Sequence, residues 1–134
     1  MDYSKSSLIF VIDKNPIHNS LIKYHLNLNK FFNVQTFPSV DECLYRLNKQ
    51  VFPDFIITDL NTGDPSVFDF LYKVRGLSER IQIIFFSSHD DPLLADHLLD
   101  SGATDFIVKT DRLETGITEL IKNLKFLIKE EVKY

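Results

Sequence analysis

The sequence predicts an α/β fold: a doubly wound, five-stranded parallel sheet with helices on both faces. Three observations predict it. Short continuous apolar runs alternate five times with segments of helical apolar period. The runs lack the polar alternation of a sheet that faces water, so they belong to strands buried on both faces. Helix-start signals stand between run and helix, and strands alternating with helices imply parallel pairing through right-handed crossovers.

Each element follows from its residues. Leu8-Ile9-Phe10-Val11-Ile12 is the first strand. Asn15-Pro16 then supplies an N-cap and a proline for the first helical position. Ile17, Leu21, Tyr24 and Leu28 recur at helical spacing. Val34 to Phe37 is a second, weaker strand. Ser39 and Glu42 form a capping box, and Val40, Cys43, Leu44 and Leu47 are the buried face of the helix it opens. Asp54 to Thr58 is the third strand. Val67, Phe70, Leu71 and Val74 mark a third helix, which Gly76 is expected to stop. Ile81 to Phe86 is the fourth strand. Asp91-Pro92 opens a fourth helix and Gly102 ends it. Phe106-Ile107-Val108 is the fifth strand. Asp111 and Glu114 bracket the start of a last helix that carries Leu113, Ile117, Leu120, Ile121, Leu124 and Leu127.

The 134 residues fit one domain, with a core at about 8–127 and 128–134 as a tail or the start of a linker. Hydrophobic residues at 44% and charged residues at 25% exclude wholesale disorder. The single cysteine, Cys43, excludes a disulfide framework and a cysteine-rich zinc site. It reads as a small core hydrophobe. No apolar run is long enough to span a bilayer, and the start MDYSKSS does not read as a signal peptide. A cytoplasmic location with no membrane contact is expected. The net charge of −4 argues against direct nucleic-acid binding by this domain.

Four strands are followed at their carboxyl ends by residues able to do chemistry: Asp13, Asp59, Ser87 with Ser88, and Lys109. In an open α/β sheet the carboxyl ends line the ligand crevice, so these distant residues are expected to meet in one pocket. Two carboxylates can hold a hard divalent cation. A carboxylate can attack a phosphoryl group to form an acyl phosphate, and a lysine and a hydroxyl can stabilise the transferred oxygens. His89 lies near the expected pocket mouth. His18, His25 and His97 fall within helical patterns and show no paired ligand spacing.

With these residues in place, the chain resembles the receiver domain of two-component response regulators from about Leu8 to Leu127. The segments LIFVIDKNP, PDFIITDLNTGDPSVFDFLYKVR, IIFFSSHDD and GATDFIVKT carry the resemblance. It implies a flavodoxin-like sheet of order 2-1-3-4-5 and a place in bacterial phosphorelay signal transduction. It implies Asp59 as phosphoacceptor, Lys109 and Ser87 as the conserved lysine and hydroxyl, and Asp13, Asp59 and Asn61 as the Mg²⁺ shell. It implies Ser87 and Phe106 as switch positions. The protein would then be no enzyme in its own right, but a phosphoacceptor that at most assists its own phosphorylation and dephosphorylation. Its implied partners are a sensor histidine kinase or phosphotransfer protein, an output domain or partner protein, and a second copy through the last two helices.

This sequence departs from the family at several positions. Lys14 replaces the second acidic residue after the first strand, Thr110 replaces the proline after the conserved lysine, and Gly63 replaces the proline after the phosphoacceptor. Lys14 is the one that modifies the pocket. Turned inward, it pairs with Asp59 or Asp13 and weakens Mg²⁺ binding, since unit charges at about 4 Å interact by about 4 kcal/mol at an effective dielectric near 20. Turned outward along its flexible stem, it leaves the carboxylates to bind the metal loosely. Two rival readings follow. One is a phosphorylation-independent pseudo-receiver acting as a protein-interaction module. The other is a flavin-type cofactor binder, which the stretch Asp13 to His18 opposes because it lacks glycine and hydroxyl residues for a phosphate loop.

Overall fold

The computed structural model describes residues 7–60 and 66–132, with side chains placed up to residue 129. In chain order the elements are β1 (Leu8–Ile12), α1 (Pro16–Leu28), β2 (Asn33–Phe37), α2 (Val40–Asn48), β3 (Phe55–Thr58), α3 (Val67–Leu77), β4 (Gln82–Ser87), α4 (Pro92–Asp100), β5 (Asp105–Val108) and α5 (Leu113–Val132). The strands form one parallel sheet in the order β2-β1-β3-β4-β5. No helix among the described residues is long and apolar enough to cross a membrane.

The caps read from sequence are formed. The Asn15 side chain accepts from the backbone N–H of Ile17 and His18, with Pro16 at the first helical position. Ser39 accepts from the N–H of Glu42, and Asp91 from those of Leu93 and Leu94. Ser66 caps α3 by accepting from Asp69. Each cap satisfies backbone donors that a helix leaves without intrahelical partners.

Successive strand residues point to opposite faces, which makes two cores. Phe10, Ile12, Ile56, Ile83 and Phe85 face the side covered by α2, α3 and α4. Ile9, Val11, Phe55, Ile57, Ile84 and Phe86 face α1 and α5. Val40, Cys43, Leu44 and Leu47 are the four buried residues of α2, as their spacing predicts.

One reading is corrected below, that of Gly76. The stripe Ile17-Leu21-Tyr24-Leu28 marks a helix as its spacing predicts, and Leu21 packs against the core. Ile17, Tyr24 and Leu28 are exposed, and the buried residues are Asn19, Ile22 and Leu26. The reason is polar. The Asn19 amide donates to the carbonyls of Asp13 (2.7 Å) and Phe37 (3.1 Å), a tie consistent only with this rotation of the helix. Gly76 does not stop α3, which continues to Leu77 and is capped at Ser78. The Ser78 N–H closes the helix on Val74 O at 2.8 Å and the chain leaves in extended conformation, while the Arg75 guanidinium ties the exit to the carbonyls of Ser78, Ile81 and Gly102. Gly102 ends the α4 region at φ +115°, a conformation that favours glycine.

Candidate functional site

The carboxyl rim of the sheet is knitted by backbone bonds just past the strands. Asp13 N–H donates to Phe37 O (3.1 Å), Asp59 N–H to Ile12 O (3.1 Å) and Lys109 N–H to Ser87 O (2.7 Å). These bonds extend the ladder by one residue, so the alternation of faces continues into the rim. Asp13 follows the parity of Ile9 and Val11, Asp59 that of Phe55 and Ile57, and Lys109 that of Ile107. All three therefore turn toward the α1–α5 side. Ser87 follows Ile83 and Phe85 and has the opposite parity, shared with Phe106.

The three side chains meet. Lys109 Nζ donates to Asp13 Oδ2 and to Asp59 Oδ2, each at 2.6 Å. The Lys109 and Asp13 side chains are 5% exposed and that of Asp59 is 15% exposed, so both ion pairs are largely screened from water. Burial at these distances makes charge-assisted hydrogen bonds strong, and makes the loss of any one partner costly. The Asp13 carboxylate also accepts the N–H of Asn15 at 2.9 Å through Oδ1. Lys109 Nζ lies 5.5 Å over the centroid of Phe86, within cation–π range.

Ser87 is buried, and its Oγ accepts the His89 N–H at 3.3 Å, with His89 Nδ1 at 3.4 Å. Phe106 is half-buried against the α2–α3–α4 core. Lys14 takes the outward course. It is exposed, and among the described residues it forms no ion pair, so the inward pairing with Asp13 or Asp59 is not formed. Lys109 occupies that position between the carboxylates. Asn61 and Gly63 lie outside the described residues.

One residue at this site escapes the sequence reading. His18, in the first turn of α1, places Nδ1 3.2 Å from Lys109 Nζ and 3.4 Å from Asp13 Oδ2. No ligand spacing announces it, because its partners come from the ends of β1 and β5. The usable signal is its position just after a capped helix start that follows a strand-end aspartate.

A model of the response regulator receiver domain family matches residues 9–121, and the chain belongs to that family. Among curated relatives, the sensory transduction protein LytR of Staphylococcus haemolyticus is 29% identical over 119 residues, which cover 88% of this chain and 45% of LytR. The regulatory protein LuxO of Vibrio cholerae is 33% identical over 73 residues, covering 52% of this chain and 16% of LuxO. The chain thus spans less than half the length of these relatives. Among solved structures, a CheY-like receiver domain protein from Methanospirillum hungatei superposes with a TM-score of 0.82 at 18% identity, covering 95% of this chain and 97% of that one. A Francisella receiver domain gives 0.79 at 21% identity, covering 93% and 98%. The solved structures share the flavodoxin-like fold of this chain, and the family match alone carries its place as a response regulator receiver of two-component systems. Receiver domains generally bind Mg²⁺ at the phosphorylation site and interact with histidine kinases or phosphotransfer proteins.

The donors present fit a hard cation sparingly. Asp13 and Asp59 bring two carboxylates to one point, and Mg²⁺ is commonly held by one or two carboxylates plus waters and phosphate oxygens. Among the described residues no group of three or more His, Cys, Asp or Glu side chains is arranged to hold a metal.

Proposed function

We propose that this receiver accepts a phosphoryl group on Asp59 from the phosphohistidine of a partner kinase or phosphotransfer protein, at a pocket with reduced Mg²⁺ affinity. The observation that carries the reading is the Lys109 ammonium held 2.6 Å from both Asp13 and Asp59. A cation fixed against the acceptor carboxylate stands where negative charge gathers as the phosphoryl group arrives.

In the transfer, an Asp59 carboxylate oxygen bonds to phosphorus as the phosphorus–nitrogen bond of the donor breaks, and the donor imidazole keeps the electron pair and takes up a proton. Lys109 moves from Asp59 to the phosphoryl oxygens while Asp13 holds its other side. Ser87 exchanges its local bonds for a phosphoryl oxygen, and Phe106, on the same sheet face, repacks in response. A few kcal/mol of differential contact suffice for such a two-state shift. Mg²⁺, held by Asp13 and Asp59, would neutralise phosphoryl charge. The domain acts as an acceptor that assists its own phosphorylation and dephosphorylation, with its output carried by a further domain or partner.

The test is intact-mass measurement after incubation with acetyl phosphate and excess Mg²⁺. One added phosphoryl group in the wild type, and none in Asp59→Asn, is expected. An unmodified wild type under these conditions would overturn the acceptor reading and leave a phosphorylation-independent interaction module.

A further inference from the structure

The geometry points to His18 as a positioning residue that completes the hydrogen bonding of the Lys109 ammonium and fixes it for phosphoryl transfer; this rests on the acceptor reading of Asp59. An ammonium has three N–H donors and no acceptor. Two reach Asp13 Oδ2 and Asp59 Oδ2, and among the described residues the third nitrogen or oxygen atom in range is His18 Nδ1 at 3.2 Å. For this contact to be a hydrogen bond the ammonium must donate, which requires His18 Nδ1 as acceptor and the ring proton on Nε2, rather than Nδ1 donating to Asp13 Oδ2 at 3.4 Å.

The placement has two independent supports on α1. Asn15 caps the helix by accepting from the His18 N–H itself, at 3.4 Å, and Asn19 bonds the carbonyls of Asp13 and Phe37. Asn19, with the Asn15 N–H donating to Asp13 Oδ1 at 2.9 Å, thus ties the first turn to the β1 rim. The imidazole is 32% exposed while Lys109 and Asp13 are 5% exposed, so His18 covers the ion pairs at the boundary with solvent.

The consequence is kinetic. A lysine stem has many rotamers, and an ammonium with one unfilled donor turns toward water. Holding the third donor keeps Nζ over the acceptor carboxylate before the phosphoryl group arrives, so that less ordering remains for the reaction itself. Asparagine at position 18 would offer an oxygen at the same branch as Nδ1, whereas leucine offers none.

The experiment compares wild type, His18→Asn and His18→Leu for phosphorylation by acetyl phosphate, a small donor that needs no protein docking. His18→Leu is expected to slow acceptance about tenfold, and His18→Asn to stay within about twofold of wild type. A leucine variant as fast as wild type, or an asparagine variant as slow as leucine, overturns the assignment. Nitrogen–proton correlation spectra of the imidazole at neutral pH give a readout that needs no turnover. A protonated Nε2 with a bare Nδ1 is expected, and a proton on Nδ1 overturns the proposal. If the wild type takes no phosphoryl group, the acceptor reading falls while the ring spectrum still decides the contact between His18 and Lys109.

Discussion

The Lys109 ammonium and the Asp13 carboxylate, 96 positions apart in the chain, stand 2.6 Å apart with both side chains 5% exposed. The contact joins the end of β5 to the end of β1 across two intervening strands, and Asp59 at the end of β3 accepts from the same ammonium.

Replacing Lys109 by methionine leaves two carboxylates facing each other without a cation. Removing one partner of a buried pair costs about 3–5 kcal/mol. Urea unfolding should show a loss in that range in the absence of divalent cations. Added Mg²⁺ should recover part of it and bind more tightly than to wild type, because the pocket gains a net negative charge. Equal Mg²⁺ affinity in the two proteins would contradict this.

Gly116 makes room for the aromatic floor of the site. A Cβ there would stand 3.0 and 3.1 Å from two atoms of the Phe86 ring, over which Lys109 lies. Gly116→Ala removes a helix-weakening glycine but forces that ring to shift. Stability is expected to fall by about 1–2 kcal/mol, and the Phe86 ring resonances to move together with those of Lys109. A more stable variant with unmoved ring signals would contradict it.

Lys14 is exposed, so Lys14→Ala should change stability by no more than about 0.5 kcal/mol. Lys14→Asp returns an acidic side chain beside Asp13 and should raise Mg²⁺ affinity about tenfold or more by isothermal titration. A marked loss of stability in the alanine variant would show that Lys14 does pair within the fold.

Burial pushes the Cys43 thiol up from 9.0 to about 12. The native state therefore keeps its proton where the unfolded chain has lost it. Stability from this group is fully present below pH 9 and falls as pH rises from about 9 toward 12, by about 1.4 kcal/mol per unit. The difference in urea midpoint between wild type and Cys43→Ala should shrink across that window. Native Cys43 should also resist alkylation, since the thiolate is the nucleophile. Rapid labelling without unfolding would refute its burial.

The caps show how far local chemistry carries. Asn15, Ser39 and Asp91 each end up accepting the backbone donors their positions predict, because capping involves only residues two or three apart. The continuous apolar runs became strands for the same local reason, and strand-end placement brought Asp13, Asp59 and Lys109 to one rim. Gly76 was misleading because α3 continues through it to Leu77 and turns out only at Ser78, whose N–H closes on Val74 O.

By itself, then, the sequence determined the order of strands and helices, their starts, and which residues stand at the strand ends. The tertiary structure alone decided which way each polar side chain turns. α1 carries two apolar stripes, and the structure buries Ile22 and Leu26, with Asn19 on the same side bonded to the Asp13 and Phe37 carbonyls. That rotation puts His18 against Lys109 and leaves Ile17 outside. The ammonium of Lys109, already seated between the carboxylates, leaves Lys14 in solvent. Local periodicity fixes a helix, but its rotation about its axis is set by partners that the chain supplies from far away.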